Sequence, residues 1–519
     1  MLVASKKELL ERAVQKPETD FELHKPWVDR LTFRCEKCRG TMRRENFVLD
    51  AWHNSGASPY ARFIGEEFEK FVPVDFLTEA MDQTRGWANS LLLEYIILTG
   101  KPQAPYRAFL LQGLTQDAKG RKMSKSLGNV IEANNALEKC SADVFRFYVL
   151  RKCPPIDPND FDPKELSHRP YQVLSTLYHL SRFFLQNSEF DKFNPAEHAL
   201  EWAKLEKQLT NPDLWLLSRL QAIIETYTAQ LETCEFNTAL ATIENFTIED
   251  LSRLYVPMVR KELWTDDPKT LDRRLTVYAV LWHTLKTITI LFNPITPYLA
   301  ETLHQKIYRR LDETLPESIN FETWPKPNKK LRNKKVEEDF QALFRTVSLV
   351  YAARQSAKIK RRWPLSKLVA VASKTVCSAL KALEDLLLDL TNVKTIEYLE
   401  KPPDYVTSEG WSSAQENGVQ IFLDVHRDEG LLGEGLMRDL ARRVQALRKE
   451  LGYMPTDILD TVHISELDNE SIKLLQPYLQ NMKELVRTKN LYLDKRRGEA
   501  KMGWHESKLD DKKVYIAIP

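Results

Sequence analysis

Hydrophobic and polar positions along this chain follow two different periods, and the change falls near residue 165. Before it, short apolar runs are closed by turn-forming residues. Val74 to Leu77 and Ala108 to Leu114 read as strands, and Leu91 to Leu98 as the body of a helix that begins near Thr84 to Gly86. That passage predicts Glu79, Asp82 and Gln83 on the loop between a strand's carboxyl end and a helix's amino end, where open parallel α/β sheets place ligands. Ser141 to Lys152 is a helix stopped by Pro154-Pro155, and IDPNDFDPKEL follows as a Pro/Asp-rich linker. From Pro170 to about Leu311 the period is helical. RPYQVLSTLYHLSRFFLQN, DLWLLSRLQAIIETYTAQLE, FNTALATIENFTIEDLSRLYVPMVRKEL and RRLTVYAVLWHTLKTITILF are four long segments, and NPITPYLAETLHQKIYRRL is a fifth. Their short connections predict an antiparallel bundle. Beyond it LVAVAS, VKTIEYL, VQIFLDV and LDTVHIS read as strands between helices. The stretch from Glu434 to Leu451 is an amphipathic helix with Leu436, Leu440, Val444, Leu447 and Leu451 inward, and Arg438, Arg442, Arg443 and Lys449 elsewhere. No internal repeat is apparent.

Composition narrows the class. A chain of 519 residues has room for about three or four domains. Hydrophobic content of 43% with 29% charged residues describes a soluble globular protein and excludes a disordered one. No eighteen consecutive residues are apolar, so no membrane span is expected. The opening, with a short helix from Lys6 to Gln15 before Pro17, is charged and amphipathic and does not read as a secretory signal. Six cysteines in a chain of this length exclude a disulfide scaffold and point to a reducing cytoplasm. Cys35 and Cys38 form a C-x-x-C before a turn, which is half of a zinc knuckle, because two thiolates do not close a tetrahedral site. Cys140, Cys153, Cys234 and Cys377 read as ordinary buried thiols.

Net charge of +2 does not argue for nucleic acid, but local charge does. KPNKKLRNKK spans Lys326 to Lys335, and a helix follows that ends in Lys358, Lys360, Arg361, Arg362 and Trp363. Basic groups interleaved with an aromatic fit phosphate contacts and base stacking. A solvated charged face fits the same composition.

The stretch from Tyr106 to Val130, YRAFLLQGLTQDAKGRKMSKSLGNV, carries the sharpest chemistry. Its strand gives way to a Gly-bounded loop with Lys122, Ser124, Lys125 and Ser126. Two ammonium groups and two hydroxyls on such a loop suit a polyphosphate, the first neutralising charge and the second donating hydrogen bonds.

The string G-R-K-M-S-K-S-L-G-N closely resembles the KMSKS loop of class I aminoacyl-tRNA synthetases. Together with D-Q-T-R-G-W some forty residues earlier, it looks like the isoleucyl family, whose valyl relatives carry an aromatic pair in place of R-G-W. ELHKPWVD, the C-x-x-C, VLDAWHNSG, ARQSAKIKRRWPL and GLMRDLARRVQALRKELGY extend the resemblance along the whole chain and favour the archaeal–eukaryotic branch. It matches only the carboxyl-terminal portion of such an enzyme. None of the ten histidines stands in an H-x-G-H arrangement, and nothing resembles the editing domain.

The resemblance implies a multidomain α/β plus all-α protein. Residues 1–50 would be the remnant of an insertion region with a half zinc knuckle. Residues 51–164 would be the second half of a Rossmann-like catalytic domain, 165–335 a helical anticodon-binding domain, and 336–519 a small mixed α/β region, in one piece or two, that contacts tRNA. It implies isoleucine, ATP with Mg2+ and tRNA(Ile) as substrates, the missing amino-terminal half as partner, and zinc at an incomplete site. The whole enzyme would be a monomer. Lys125 would contact ATP, assisted by Lys122 and Ser124. Glu79 would contact the adenylate, with Asp82, Gln83 and Gln112 nearby, and Trp52 and Trp87 would enclose the isoleucine side chain. Three positions depart from the family pattern: His53-Asn54 where an aromatic and a carboxylate are usual, Ala80 in place of glycine, and Gln112 in place of histidine. A tRNA-binding module without catalysis of its own remains the alternative, and a valyl-like specificity the alternative within the class.

Overall fold

The computed structural model describes residues 3, 5–16, 21–47, 51–63, 65–205, 208–265, 267–453, 457–494, 503–509 and 512–518. Pro17, expected to stop the first helix, and the opening residues 48–50 of VLDAWHNSG lie outside them. The chain divides into two units. One is Met1–Thr115 with Pro155–Asn159, and the other is Gln116–Pro154 with Asp160–Pro519. The division falls inside the expected 51–164 domain, so the Gly-bounded loop belongs to the second unit.

In the first unit the opening helix is Lys6–Arg12, shorter than expected, with the Ser5 hydroxyl accepting from the Glu8 N–H. Ala13, Phe21, Leu31 and Phe33 form a small core beside a hairpin of β1, Thr32–Arg34, and β2, Thr41–Arg43. Two longer strands, β3 (Val74–Ala80) and β4 (Tyr106–Gln112), pair in parallel from Val74 opposite Tyr106 to Ala80 opposite Gln112. The Trp87–Thr99 helix joins them, as a parallel pair requires a crossover. Strand β3 outruns its apolar segment by three residues, because the backbone ladder with β4 carries it on through polar Thr78 and Glu79. Glu79 therefore lies in the strand and not on the loop. Asp82 and Gln83 occupy the tight turn Met81–Thr84 that follows.

The second unit contains the helical bundle. Its main helices are Arg169–Phe190, Asn211–Glu232 and Leu271–Phe292, with composite helical segments at 236–259 and 297–311. The segment Pro268–Phe292, which contains the Leu271–Phe292 helix, is long and apolar enough by composition to cross a bilayer. It is instead a core helix, with 78% of its apolar window buried inside the protein. Buried ion pairs cross this core. Asp213 accepts from Arg273 at 2.6 Å and from the Tyr255 hydroxyl at 2.7 Å, and Asp191 binds Arg274 at 2.8 Å and Tyr278 at 2.7 Å. Buried polar networks of this kind favour one packing over its neighbours.

Residues 334–517 hold a repeat that the sequence conceals. The first copy opens with the helix Lys334–Ser356. The strand Leu365–Val371 follows, then two helices, then Val393–Leu399 parallel to the first strand, and a hairpin of Trp411–Glu416 and Val419–Asp424. The hairpin's second strand pairs antiparallel with Leu365–Val371. The second copy repeats this order with the helix Glu429–Glu450, the strand Leu459–Ser465, two helices, the parallel strand Thr488–Asp494, and the hairpin His505–Leu509 and Lys512–Ala517. Each sheet has four strands in the same spatial order. The expectation of no internal repeat is thus corrected. The copies share strand register and buried pattern, while VYAARQSAKIKRRWPL and VQALRKELGYMPTDIL share few residues. Within the second copy's helix Leu436, Leu440, Val444 and Leu447 are buried as expected, but Leu451 is exposed just past the helix end.

Candidate functional site

At the carboxyl ends of β3 and β4 the two strands present a polar rim. The Gln112 amide donates to the Thr78 hydroxyl at 2.8 Å, and Thr78 in turn donates to the Leu110 carbonyl at 3.1 Å. Ala80 is the register partner of Gln112, so two of the three departures from the family pattern face each other across the ladder. The Glu79 carboxylate is exposed and accepts from the Ala80 N–H at 3.3 Å. Asp82 is exposed on the following turn.

Behind this rim Trp52, Gln83 and Trp87 converge. The Trp87 indole donates to the Ser55 carbonyl at 2.9 Å, fixing the Ala51–Gly56 helix against the Trp87–Thr99 helix. A Cβ at Gly86 would sit 2.6 Å from the Gln83 side-chain oxygen and 3.2 Å from the Trp52 ring, so only glycine lets the two approach. That Gln83 oxygen is buried with no donor. The structure also supplies a carboxylate beside the altered His53-Asn54: Glu94 lies 3.1 Å from the His53 ring nitrogen. Trp52, Gln83 and Trp87 are brought together, with Glu79, Asp82 and Gln112 on the strand ends and the turn. A solvent-open ring (Trp52 is 44% exposed) beside an unmet acceptor can hold an apolar group next to a donor.

The loop with Lys122 and Lys125 is built in the second unit around two residues that sequence reasoning did not single out as functional. Asp117 is buried, and its carboxylate accepts from the Lys119 and Arg121 N–H groups, the Arg121 guanidinium and the Asn129 amide. The Asn129 bond, the Arg121 backbone bond and the Arg121 side chain hold that carboxyl well below the usual range. Asn129 also donates to the Lys122 carbonyl at 3.2 Å and accepts from the Ser124 N–H at 2.9 Å. The left-handed backbone at Gly120 and Gly128, with φ of 71° and 63°, turns the chain at each end. Between them the Ser124 hydroxyl caps a short turn by accepting from Leu127 N–H, and it lies 3.1 Å from the Ser126 hydroxyl. Lys122 and Lys125 are exposed, and neither pairs with a carboxylate among the described residues. The Asp-x-x-Gly spacing was the available signal for Asp117, as an aspartate opening a tight turn.

The C-x-x-C sits on the β1–β2 turn. Cys35 N–H donates to the Gly40 carbonyl and Arg39 N–H to the Cys35 carbonyl, both at 2.9 Å, with Arg39 in a left-handed conformation. Backbone N–H groups of Cys38 and Lys37 lower the Cys35 thiol from its ordinary value. Among the described residues no third His, Cys, Asp or Glu joins the pair in a group able to hold a metal. Cys140, Cys153, Cys234 and Cys377, expected to be buried, are all left at intermediate exposure by the fold.

The basic segment is placed differently from its prediction. The Lys334–Ser356 helix ends before it, so Lys358, Lys360, Arg361, Arg362 and Trp363 lie on the turn beyond. Arg354, 1% exposed, holds that turn by donating to the carbonyls of Lys360, Trp363, Thr391 and Asn392. Burial pushes its guanidinium down to about 10. Arg361 lies over the Tyr351 ring at 3.8 Å, and Lys360 reaches Asp439 at 3.4 Å. The Trp363 ring packs where a Cβ at Gly435 would be 2.6 Å from it, with Arg427 5.1 Å above the ring centre. That ring is directed into the fold and works as a wedge, not as an open stacking platform.

Two family descriptions match the chain. "tRNA synthetases class I (I, L, M and V)" covers residues 1–159 and "Anticodon-binding domain of tRNA ligase" covers residues 213–369. An isoleucine–tRNA ligase of Methanosarcina mazei is 35% identical over 93% of this chain and 44% of its own length. One from Methanopyrus kandleri is 30% identical over 100% of this chain and 54% of its own. The chain thus spans about half the length of the curated relatives it matches. A solved ternary complex of Agrobacterium radiobacter K84 agnB2 LeuRS-tRNA-LeuAMS overlaps 59% of this chain and 36% of its own, with 21% identity and a TM-score of 0.46.

Proposed function

We propose that this chain, which matches class I tRNA synthetases and isoleucine–tRNA ligases along its length, supplies the second half of an isoleucine-activating site together with tRNA-contacting domains. The reaction joins isoleucine to ATP, which enters with Mg2+ as substrate. The amino-acid carboxylate attacks the α-phosphate in line, forming the acyl–phosphate bond as pyrophosphate leaves, and the terminal ribose hydroxyl of tRNA(Ile) then takes the acyl group as AMP leaves. A carboxylate is already ionised at neutral pH, so the first step needs no general base. What it needs is placement and charge stabilisation.

Exposed Lys125 and Lys122 neutralise the phosphates, and the Ser124 hydroxyl donates to them. Trp52 and Trp87 flank the isoleucine side chain, with Glu79, Asp82, Gln83 and Gln112 around the adenylate. The observation that carries this reading is the loop itself, in which Asp117 and Asn129 fix the backbone and leave both ammonium groups without an ion pair among the described residues. A pocket of two tryptophans is a coarse filter against valine. The editing that such a filter calls for belongs to no segment that the sequence resembles.

Two groups lie outside what these residues complete. Cys35 and Cys38 suit zinc in kind, but two thiols are half of a tetrahedral site, so no step is routed through a metal there. The chain also carries no H-x-G-H. We therefore propose that catalysis requires the complementary half, in a cytoplasmic setting supported by six free cysteines.

Isoleucine-dependent ATP–pyrophosphate exchange tests this. The 519-residue chain alone should be silent, and adding a polypeptide with the H-x-G-H half should restore exchange. Robust exchange by the chain alone refutes the need for a partner. Valine-dependent exchange above the isoleucine rate refutes the isoleucyl assignment. Silence in both arms, with tRNA still bound, favours the non-catalytic module.

A further inference from the structure

On the Glu429–Glu450 helix Glu434 takes two cations as partners, Arg438 and Lys394. A second carboxylate of that helix is more heavily outnumbered. Where the 360–363 turn of the first copy meets the Glu429–Glu450 helix of the second, Lys360, Arg362, Arg442 and Arg443 surround a single carboxylate, Asp439. Asp439 is 2% exposed and is shared by Lys360 at 3.4 Å and Arg443 at 3.9 Å. Arg362 and Arg442 are exposed and form no ion pair among the described residues. The Arg443 side chain is 14% exposed, and its Nε is buried with no acceptor.

The fold holds these like charges together. Trp363 against Gly435 and Arg354 on the turn's carbonyls fix one side, and the helix fixes the other. Partial desolvation and the neighbouring Arg442 and Arg443 disfavour the charged form of Arg362, and Asp439 opposes them. Three guanidinium groups in excess over one shared carboxylate suit a tetrahedral anion with several acceptor oxygens. The turn lies within residues 213–369, matched to anticodon-binding domains, which favours RNA as the source of that anion.

We infer that Arg362, Arg442 and Arg443 form a seat for a backbone phosphate of RNA, built at the junction of the two copies. The inference rests on the reading that the chain binds tRNA. It extends the contact surface to the second copy's helix and makes Trp363 its support in place of a base-stacking group.

Filter binding of a tRNA(Ile) transcript to the full chain, between about 50 and 200 mM salt, is the test. Arg442→Gln and Arg362→Gln should each weaken binding and lower the slope of log affinity against log salt by roughly one. Arg442→Lys should recover part of the loss, and Lys381→Gln, an exposed lysine on the Lys374–Ala382 helix, should change neither quantity. Arg442 is exposed, so its replacement leaves the core intact, and an unchanged melting temperature verifies this. Parent-like affinity and slope in both glutamine variants overturn the seat while leaving tRNA binding in place. An equal loss in Lys381→Gln also overturns it, by showing a general charge effect. A parent chain with no salt-dependent binding removes the tRNA reading and this inference together.

Discussion

Arg354 and Arg448 occupy the same place in two copies of one fold. Each is buried at the end of its copy's opening helix, and each donates to carbonyls just before the parallel strand: Thr391 and Asn392 for Arg354, Val486 and Arg487 for Arg448. In both copies the residue before that strand, Asn392 or Arg487, is left-handed. Each guanidinium also reaches the entry to the first strand, through Trp363 or Asp457. A flat fork with five donors satisfies divergent carbonyls in a way that a lysine cannot.

Replacing either arginine should therefore destabilise the part of the fold that holds it. Arg354→Leu leaves four carbonyls without that donor, and each buried unmet acceptor costs about 1–3 kcal/mol. A loss of at least about 3 kcal/mol in urea unfolding is expected. Arg448→Leu should behave alike. A loss below about 0.5 kcal/mol, the size of an ordinary surface change, would show that the carbonyls find other partners.

The loop makes a kinetic prediction. Asn129→Ala removes the contacts to Asp117, to the Lys122 carbonyl and to Ser124 N–H at once. In the reconstituted enzyme the exchange rate should fall on the order of ten- to a hundredfold, because a misplaced loop costs transition-state contacts. Isoleucine affinity should hold. A rate within twofold of the parent would mean that the loop orders without this tie.

Asp117 sets the pH range of the same loop. Its carboxyl in the folded chain is held well below the unfolded value of about 4, with Asn129 the largest cause. The unfolded chain thus takes up the proton first as pH falls. The stabilisation is fully present above about pH 4 and is lost below it, as pH drops toward the folded value. Hydrogen exchange at residues 117–129 should be flat from pH 5 to 8, after correction for the intrinsic rate, and should rise below about pH 4. Loosening near neutrality would assign the effect to another group.

In the reconstituted enzyme, Lys125→Ala should lower the exchange rate far more than it alters isoleucine affinity, since its charge acts on the phosphates. Equal rates for variant and parent would take Lys125 out of the reaction.

Gly86→Ala tests the pocket separately. The new methyl would meet the Gln83 oxygen at 2.6 Å and the Trp52 ring at 3.2 Å. Overpacking of this kind costs about 1–3 kcal/mol, so the KM for isoleucine should rise about tenfold. An unchanged KM would place the amino acid away from Trp52.

Much of this architecture was legible in sequence where a period was strong. The bundle helices and the strand Val393–Leu399 fall where the apolar pattern put them. Glu79 was misplaced because β3 is continued by pairing to β4, which local hydrophobicity does not report. Trp363 was read as a stacking group because its destination, Gly435, lies far along the chain. The repeat was hidden because what the copies share is a backbone path pinned by one arginine, and most positions along such a path accept many side chains. Lys122, Ser124 and Lys125 were visible as a motif, whereas Asp117 and Asn129 gain their role only when the loop closes on them.

The duplicated copies also bear on how this part of the molecule comes apart. Residues 436–518 have their own hydrophobic cluster, while the first copy's helices lend Ala379, Leu380, Leu383 and Leu387 to the bundle core. Contacts in the second copy close within a short span of chain, which favours rapid, local folding. The second copy should thus open and close as its own cooperative unit, with amide protection set by its own core. The first copy should exchange together with the bundle. The same fold, written twice, would then serve once as an extension of the main core and once as an independently breathing module.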